Sequence, residues 1–285
     1  VLLGALVTAA VQSSSATTVI VVGLVNANIL KLKQAIGVIM GANIGTTVTA
    51  HILRLASVDS NSFWLTLLKP NSWTPILLVL GVILLMGNKK GSRKELGQIF
   101  LGFGILFVGM FTMSDAVAPL GESPVFMQMF SMLSNPVAGV LAGALVTAVI
   151  QSSSASVGIL QALASTGAIT CSAAFPIIMG QNIGTCITPI LASIGASKNA
   201  KRAAFVHLTF NIAGTLIFLI ATYLYQSTIG FSFWDMPIDG GGIANFHTVF
   251  NLTVTLLLLP FVGLLEKLAL ACIKEGKAGE DESHE

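Results

Sequence analysis

Two four-residue words carry the side chains able to do chemistry: Gln12-Ser13-Ser14-Ser15 and, 139 positions later, Gln151-Ser152-Ser153-Ser154. Each sits between apolar arms, VLLGALVTAAV before the first and VIVVGLVNANIL just after it. A second pair of words follows, MGANIGT at 40–46 and MGQNIGT at 179–185. Serine and threonine hydroxyls both donate and accept, so one cluster can serve an anion and a hard cation side by side. N–H groups at a helix start favour an oxyanion. Carbonyl and hydroxyl oxygens from Ser13–Ser15 with Asn43–Thr46, and from Ser152–Ser154 with Asn182–Thr185, suit a small hard cation such as sodium. Neither pair of words contains Lys or Arg, so a bound anion draws its counter-charge from a co-bound cation. A monovalent cation ~4 Å from a divalent anion at an effective dielectric of about 20 attracts it by roughly 8 kcal/mol before desolvation. Coupled transport of the two follows from that dependence.

Elements that hold such words must lie in lipid. Hydrophobic residues make up 54% of the 285 residues, charged residues 9%, and mean hydropathy is +0.87. Apolar runs at 73–87, 97–113, 205–225 and 248–265 are long enough to cross a bilayer. The fold class expected is an all-α polytopic membrane protein. The net charge of +2 comes with no large basic cluster, so no nucleic-acid partner is expected. Three scattered cysteines, Cys171, Cys186 and Cys272, argue for buried small apolar residues and against a disulfide framework.

The chain is also a duplication. Offset by 139, residues 4–49 match 143–188 without a gap at 22 of 46 positions. The polar words persist while their apolar flanks drift, a pattern of transporters built from repeats. Eleven helical residues before Gln12 rise about 16 Å, half of a ~30 Å hydrocarbon core. Each serine word therefore reads as the tip of a re-entrant hairpin, 1–30 and 139–165. The crossings are then 35–56, 73–87, 97–114, 173–196, 203–225 and 246–265. The expected domains are a first repeat over 1–138, a second over 139–272 and a disordered polar tail over 273–285. Three crossings separate the hairpins, so the repeats are inverted. Lys31, Lys33, Lys89, Lys90, Arg93, Lys94, Lys198, Lys201, Arg202, Lys267, Lys274 and Lys277 then share one face, against Arg54 and Lys69 on the other. The positive-inside rule makes that face cytoplasmic, with the first hairpin opening toward it and the protein in the plasma (inner) membrane. The glycines around Asn43 and Asn182 predict local unwinding, a broken helix after each hairpin.

On these residues the chain resembles the type II sodium/phosphate cotransporters. The doubled QSSS, the paired MGxNIGT, the H-x-x-F-N stretches at His207–Asn211 and His247–Asn251, and LGFGILFVGMFTMSDAV at 101–117 carry the likeness. It implies inorganic phosphate as substrate and sodium as co-substrate, with no other cofactor. By position, Gln12, Ser13, Ser14, Ser15, Gln151, Ser152, Ser153 and Ser154 would bind substrate. Ser14, Ser15, Asn43, Thr46, Thr47, Ser153, Ser154, Asn182, Thr185 and Thr188 would supply sodium ligands. Cys186 stands where the first half has Thr47, so the two cation sites need not be equivalent. A helix like 97–117 precedes the first hairpin in the family, and its counterpart is expected to be missing before Val1.

Small residues also let membrane helices pack closely, the alternative reading of these words. His and Asn four apart share a helix face, as a gate or as interhelical hydrogen bonds. His51 and Arg54 share another, where Arg54 either draws an anion or snorkels. Gly240–Gly242 reads as a flexible external loop, and Trp64, Trp73 and Trp234 as an aromatic belt. Rival functions are transport of sulfate or a dicarboxylate, a passive anion channel, and an intramembrane serine protease, which the lack of a GxSG-type motif disfavours. Oligomeric state is not written in the sequence.

Overall fold

The computed structural model describes residues 1–57, 70–87 and 91–274. Lys69, Lys89, Lys90, Lys277, Trp64 and the tail from 275 lie outside those residues. The described chain is helical: α1 (Leu2–Val11), α2 (Ser14–Asn26), α3 (Leu32–Leu53), α4 (Pro70–Gly87), α5 (Ser92–Val117), α6 (Pro124–Leu133), α7 (Pro136–Ile150), α8 (Ser153–Ala164), α9 (Cys171–Gly184), α10 (Ile187–Ala192), α11 (Lys198–Thr228), α12 (Gly240–Leu258) and α13 (Val262–Cys272). Among the described residues, five spans are long and apolar enough to cross a membrane: Leu32–Leu53, Ser92–Glu122, Cys171–Ala192, Lys198–Thr228 and Gly240–Cys272. The architecture is that of an all-helical, polytopic membrane protein.

Polar caps set the starts. The Ser13 hydroxyl accepts from Ala16 N at 3.1 Å and Ser152 from Ala155 N at 3.2 Å, so each serine word opens a new helix. Gln12 (φ 59°, ψ 25°) and Gln151 (φ 60°, ψ 21°) adopt the left-handed conformation that ends the preceding helix. The chain then doubles back. Thr8 Oγ1 donates to Thr17 Oγ1 at 3.0 Å and Thr147 Oγ1 to Ser156 Oγ at 2.8 Å. Nine residues of straight helix would separate such atoms by about 13 Å.

The glycines of the second words do a different job from the one expected. Residues 40–46 lie inside the unbroken helix α3, which corrects the predicted broken helix over 35–56. Gly41 and Gly45 face the carbonyls of Val1 and Ala5 on α1, and Gly4 faces that of Val38. The second half repeats the crossing: Gly180 meets Val140, Gly184 meets Ala144, and Gly143 meets Ile177. A Cβ at any of these positions would overlap the facing backbone, so glycine permits the approach of two helices rather than unwinding one.

Of the two helices that carry these words, α9 alone is interrupted among the described residues. α9 stops at Gly184 and α10 starts at Ile187, with Thr185 and Cys186 in a turn. Pro189 accounts for it, since proline offers no N–H to the Thr185 carbonyl and its ring crowds that carbonyl. The position 139 earlier is Ala50, and α3 runs through it.

Two other expectations change. Gly240–Gly242 form the first turn of α12, where Asp239 Oδ1 accepts from Gly242 N at 2.6 Å. Trp234 is 9% exposed and packs against Phe175 and Tyr223 inside an aromatic cluster, away from any surface belt. Cys171 and Cys186 are buried, as expected, but Cys272 is exposed.

Gly180→Ala should therefore lower stability by about 1–3 kcal/mol through forced overpacking, whereas Gly23→Ala, with no neighbour within 4 Å of the added carbon, should not. Thermal unfolding in detergent checks both. Pro189→Ala should let α9 continue into α10. Hydrogen exchange at Thr185–Ile190 would then slow, and unchanged exchange would remove proline as the cause of the break.

Candidate functional site

The two serine words meet. Ser14 Oγ lies 3.3 Å from Ser153 Oγ, and Ser15 Oγ donates to the Gln151 carbonyl at 3.3 Å. Ser14 and Ser153 are 3% and 4% exposed. Each is the first residue of its helix, so the N-termini of α2 and α8 converge where these hydroxyls touch. The first-turn N–H groups have no intrahelical acceptor. Two dipole ends, each worth about half a positive charge, thus face one spot. The hydroxyls of Ser13 and Ser152, although they accept as caps, keep a proton to donate.

The glutamines are held unequally. Gln12 Oε1 accepts from Thr49 Oγ1 at 2.7 Å, and its amide nitrogen donates to the Ala9 carbonyl. Gln151 is exposed and makes no side-chain hydrogen bond among the described residues. Thr49, absent from the expected ligand set, is thus a residue that sequence reasoning missed. The identity Thr49/Thr188 at the 139-residue offset was the signal for it.

The asparagines are engaged on the other side of their helices. Asn43 Nδ2 donates to Asn211 Oδ1 at 2.7 Å, and Asn182 Nδ2 to Asn251 Oδ1 at 2.6 Å. Asn211 and Asn251 in turn donate to the carbonyls of His207 and His247. Thr215 and Thr255, one further turn along, reach the carbonyls of Met179 and Met40, each at 3.4 Å. α11 and α12 therefore carry the same H-x-x-x-N-x-x-x-T pattern, 40 residues apart. Each binds one half through its Asn and the other through its Thr. Between the gate and hydrogen-bond readings of these stretches, the Asn residues follow the second. His247 Nε2 also lies 3.3 Å from Asn182 Oδ1.

Of the remaining expected ligands, Thr46 and Thr185 donate back to the carbonyls of Ala42 and Gln181, and Thr47 to that of Ile44. Ser154 is half-buried. The Thr188 hydroxyl is buried without a partner among the described residues. Cys186 sits in the Asn network, donating to the Asn182 and His207 carbonyls at 3.5 Å and accepting from Asn211 at 3.4 Å. Arg54 is hydrogen-bonded within the protein. Its guanidinium donates to His51 Nδ1 at 3.3 Å and Asn245 Oδ1 at 3.2 Å, and His51 Nε2 lies 2.9 Å from Thr248 Oγ1. This chain of bonds latches the end of α3 to the start of α12.

The sequence model of a family described as Na+/Pi-cotransporter matches residues 1–115 and 108–239. Bacillus subtilis (strain 168) YqeW is 32% identical over 262 residues, covering 92% of this chain and 80% of the relative. The putative inorganic phosphate export protein YjbB of Escherichia coli (strain K12) is 29% identical over 94% of this chain, which spans only 47% of YjbB. The rat sodium-dependent phosphate transport protein 2A is 38% identical over 163 residues, 53% of this chain and 26% of that protein. No solved structure matches.

Breaking the Asn pairs has a stated cost. Asn251→Leu leaves the Asn182 amide buried without its acceptor and should cost about 1–3 kcal/mol. Asn182→Leu together with Asn251→Leu should cost less than the sum of the two single changes, as read in a double-mutant cycle of thermal stability.

Proposed function

Because the chain belongs to the Na+/Pi-cotransporter family, we propose that it carries inorganic phosphate across the membrane coupled to sodium, by alternating access. The observation that carries this reading is the 3.3 Å contact of Ser14 with Ser153 at two converging helix starts. Such a place binds an oxyanion through N–H and O–H donors. It holds no fixed positive charge among its expected ligands, so the sodium ion supplies it. Gln12–Ser15 and Gln151–Ser154 contact phosphate. The oxygens of Ser14, Ser15, Ser153 and Ser154, with Asn43, Thr46, Thr47, Asn182, Thr185 and Thr188, are the sodium candidates. The Asn residues reach sodium through their carbonyl oxygens, because their amide nitrogens are held by Asn211 and Asn251.

In this reading α1–α2 and α7–α8 are re-entrant hairpins of two inverted repeats, 1–138 and 139–272. The distribution of Lys and Arg supports a first hairpin that opens to the cytoplasm, in the plasma membrane. The shared 139-residue offset, the matching tip dihedrals and the paired Thr8–Thr17 and Thr147–Ser156 bonds support a repeat pair. Net direction is set by the gradients. The export named for YjbB and the sodium-dependent transport named for the rat relative fit one reversible carrier.

Labelled phosphate uptake into proteoliposomes, with and without a sodium gradient, tests the proposal. Uptake should need sodium and should be lost in both Ser14→Ala and Ser153→Ala, with membrane insertion intact. Uptake indifferent to sodium would remove coupling, and uptake of sulfate alone would move the substrate. Normal transport by both variants would return the serines to helix packing.

A further inference from the structure

The halves share their tips but differ in how the tip glutamine is held. Ser13 (φ −147°, ψ 104°) and Ser152 (φ −139°, ψ 108°) match, as do Gln12 and Gln151. Yet Thr49 holds Gln12 at 2.7 Å, while the corresponding pair is open. The Gln151 side chain is exposed, and the Thr188 hydroxyl is buried without a partner among the described residues. These are two unmet halves of one hydrogen bond.

The cause is the break in α9. Thr188 rides on α10, a six-residue helix between the Thr185–Cys186 turn and Gly195, which has φ +78°. A groove of about 340 Å³ lies between α7 and the α9–α10 segment, lined by Leu141, Leu145, Ala148, Ile187, Ile190 and Leu208 among others. Its walls are apolar, so closing it brings them into dispersion contact.

Bonding at the two ends of the molecule follows the same asymmetry. At the Thr49 end, His51 meets Thr248 and His247 meets Asn182. At the α10 end, both ring nitrogens of His207 are buried without a partner among the described residues, although its carbonyl lies 3.5 Å from Cys186 Sγ. The α10 end keeps ties of its own, Ser197 N to Asn26 Oδ1 at 2.7 Å and Arg202 to the Ile273 carbonyl, but none that reaches the His207 ring.

We propose that Thr188 is the positioning residue of Gln151. α10 closes the groove as a flap, and the Thr188 hydroxyl donates to Gln151 Oε1, so that Thr49 and Thr188 hold their glutamines in alternation. The inference rests on the reading that these glutamines flank the transported anion.

Spin labels at Leu191→Cys on α10 and Val149→Cys on α7, in a Cys272→Ser background, report the flap in proteoliposomes by pulsed electron resonance. Sodium with phosphate should shift the distance to a shorter value than sodium alone. Thr188→Val should abolish that shift and cut phosphate turnover at least about ten-fold with little change in KM, while Thr188→Ser restores both. A purely structural Thr188 would lower thermal stability in Thr188→Val and leave the shift in place, overturning the proposal. Uptake in the same vesicles without any shift overturns the flap alone. A shift with sulfate and not phosphate sustains the flap and changes the substrate. Absence of both uptake and shift overturns both readings.

Discussion

The position of the site depends on a close approach of backbones. α1 lies on α3, and α7 on α9, at a separation only glycine allows, with Gly41, Gly45, Gly180 and Gly184 facing bare carbonyls. In lipid, helices gain little from hydrophobic exclusion against one another, so such packing and hydrogen bonds must hold them. The crossing fixes where each short arm ends, and hence where Gln12 and Gln151 turn the chain. Had either arm been displaced by the width of a methyl group, Ser14 and Ser153 would not lie in contact.

From that crossing the rest is polar accounting. A chain reversal inside an apolar protein exposes N–H groups that need acceptors. Ser13 and Ser152 satisfy one each as caps, and Thr8 and Thr147 tie the arms together. The first-turn donors left over point where an anion would lie. Asn43 and Asn182 are oriented by Asn211 and Asn251, so α11 and α12 set the geometry of residues they adjoin only in three dimensions. The family match supports phosphate transport, and a donor-rich, charge-free meeting point is compatible with an oxyanion as cargo.

Halves that share their polar words need not share one conformation. Ala50 lets α3 run on, whereas Pro189 follows the turn at Thr185–Cys186 that ends α9. A proline present at this position in one half alone thus accompanies a break that the other half lacks.

The amino-acid order alone determined the solvent, the duplication and the polar words, because hydropathy and self-similarity are properties of the chain. It also determined the chain reversals at Gln12 and Gln151, since an amide-and-hydroxyl run breaks an apolar helix and caps the next. It did not decide what the glycines do. A Gly-x-x-x-Gly spacing is compatible with unwinding or with close contact, and only the neighbour at Val1 or Val140 selects the second. Nor did it reveal that Thr49 holds Gln12, or that Gly240–Gly242 begin a helix. Those outcomes belong to the tertiary structure, because each depends on which atoms from distant parts of the chain arrive within about 3 Å.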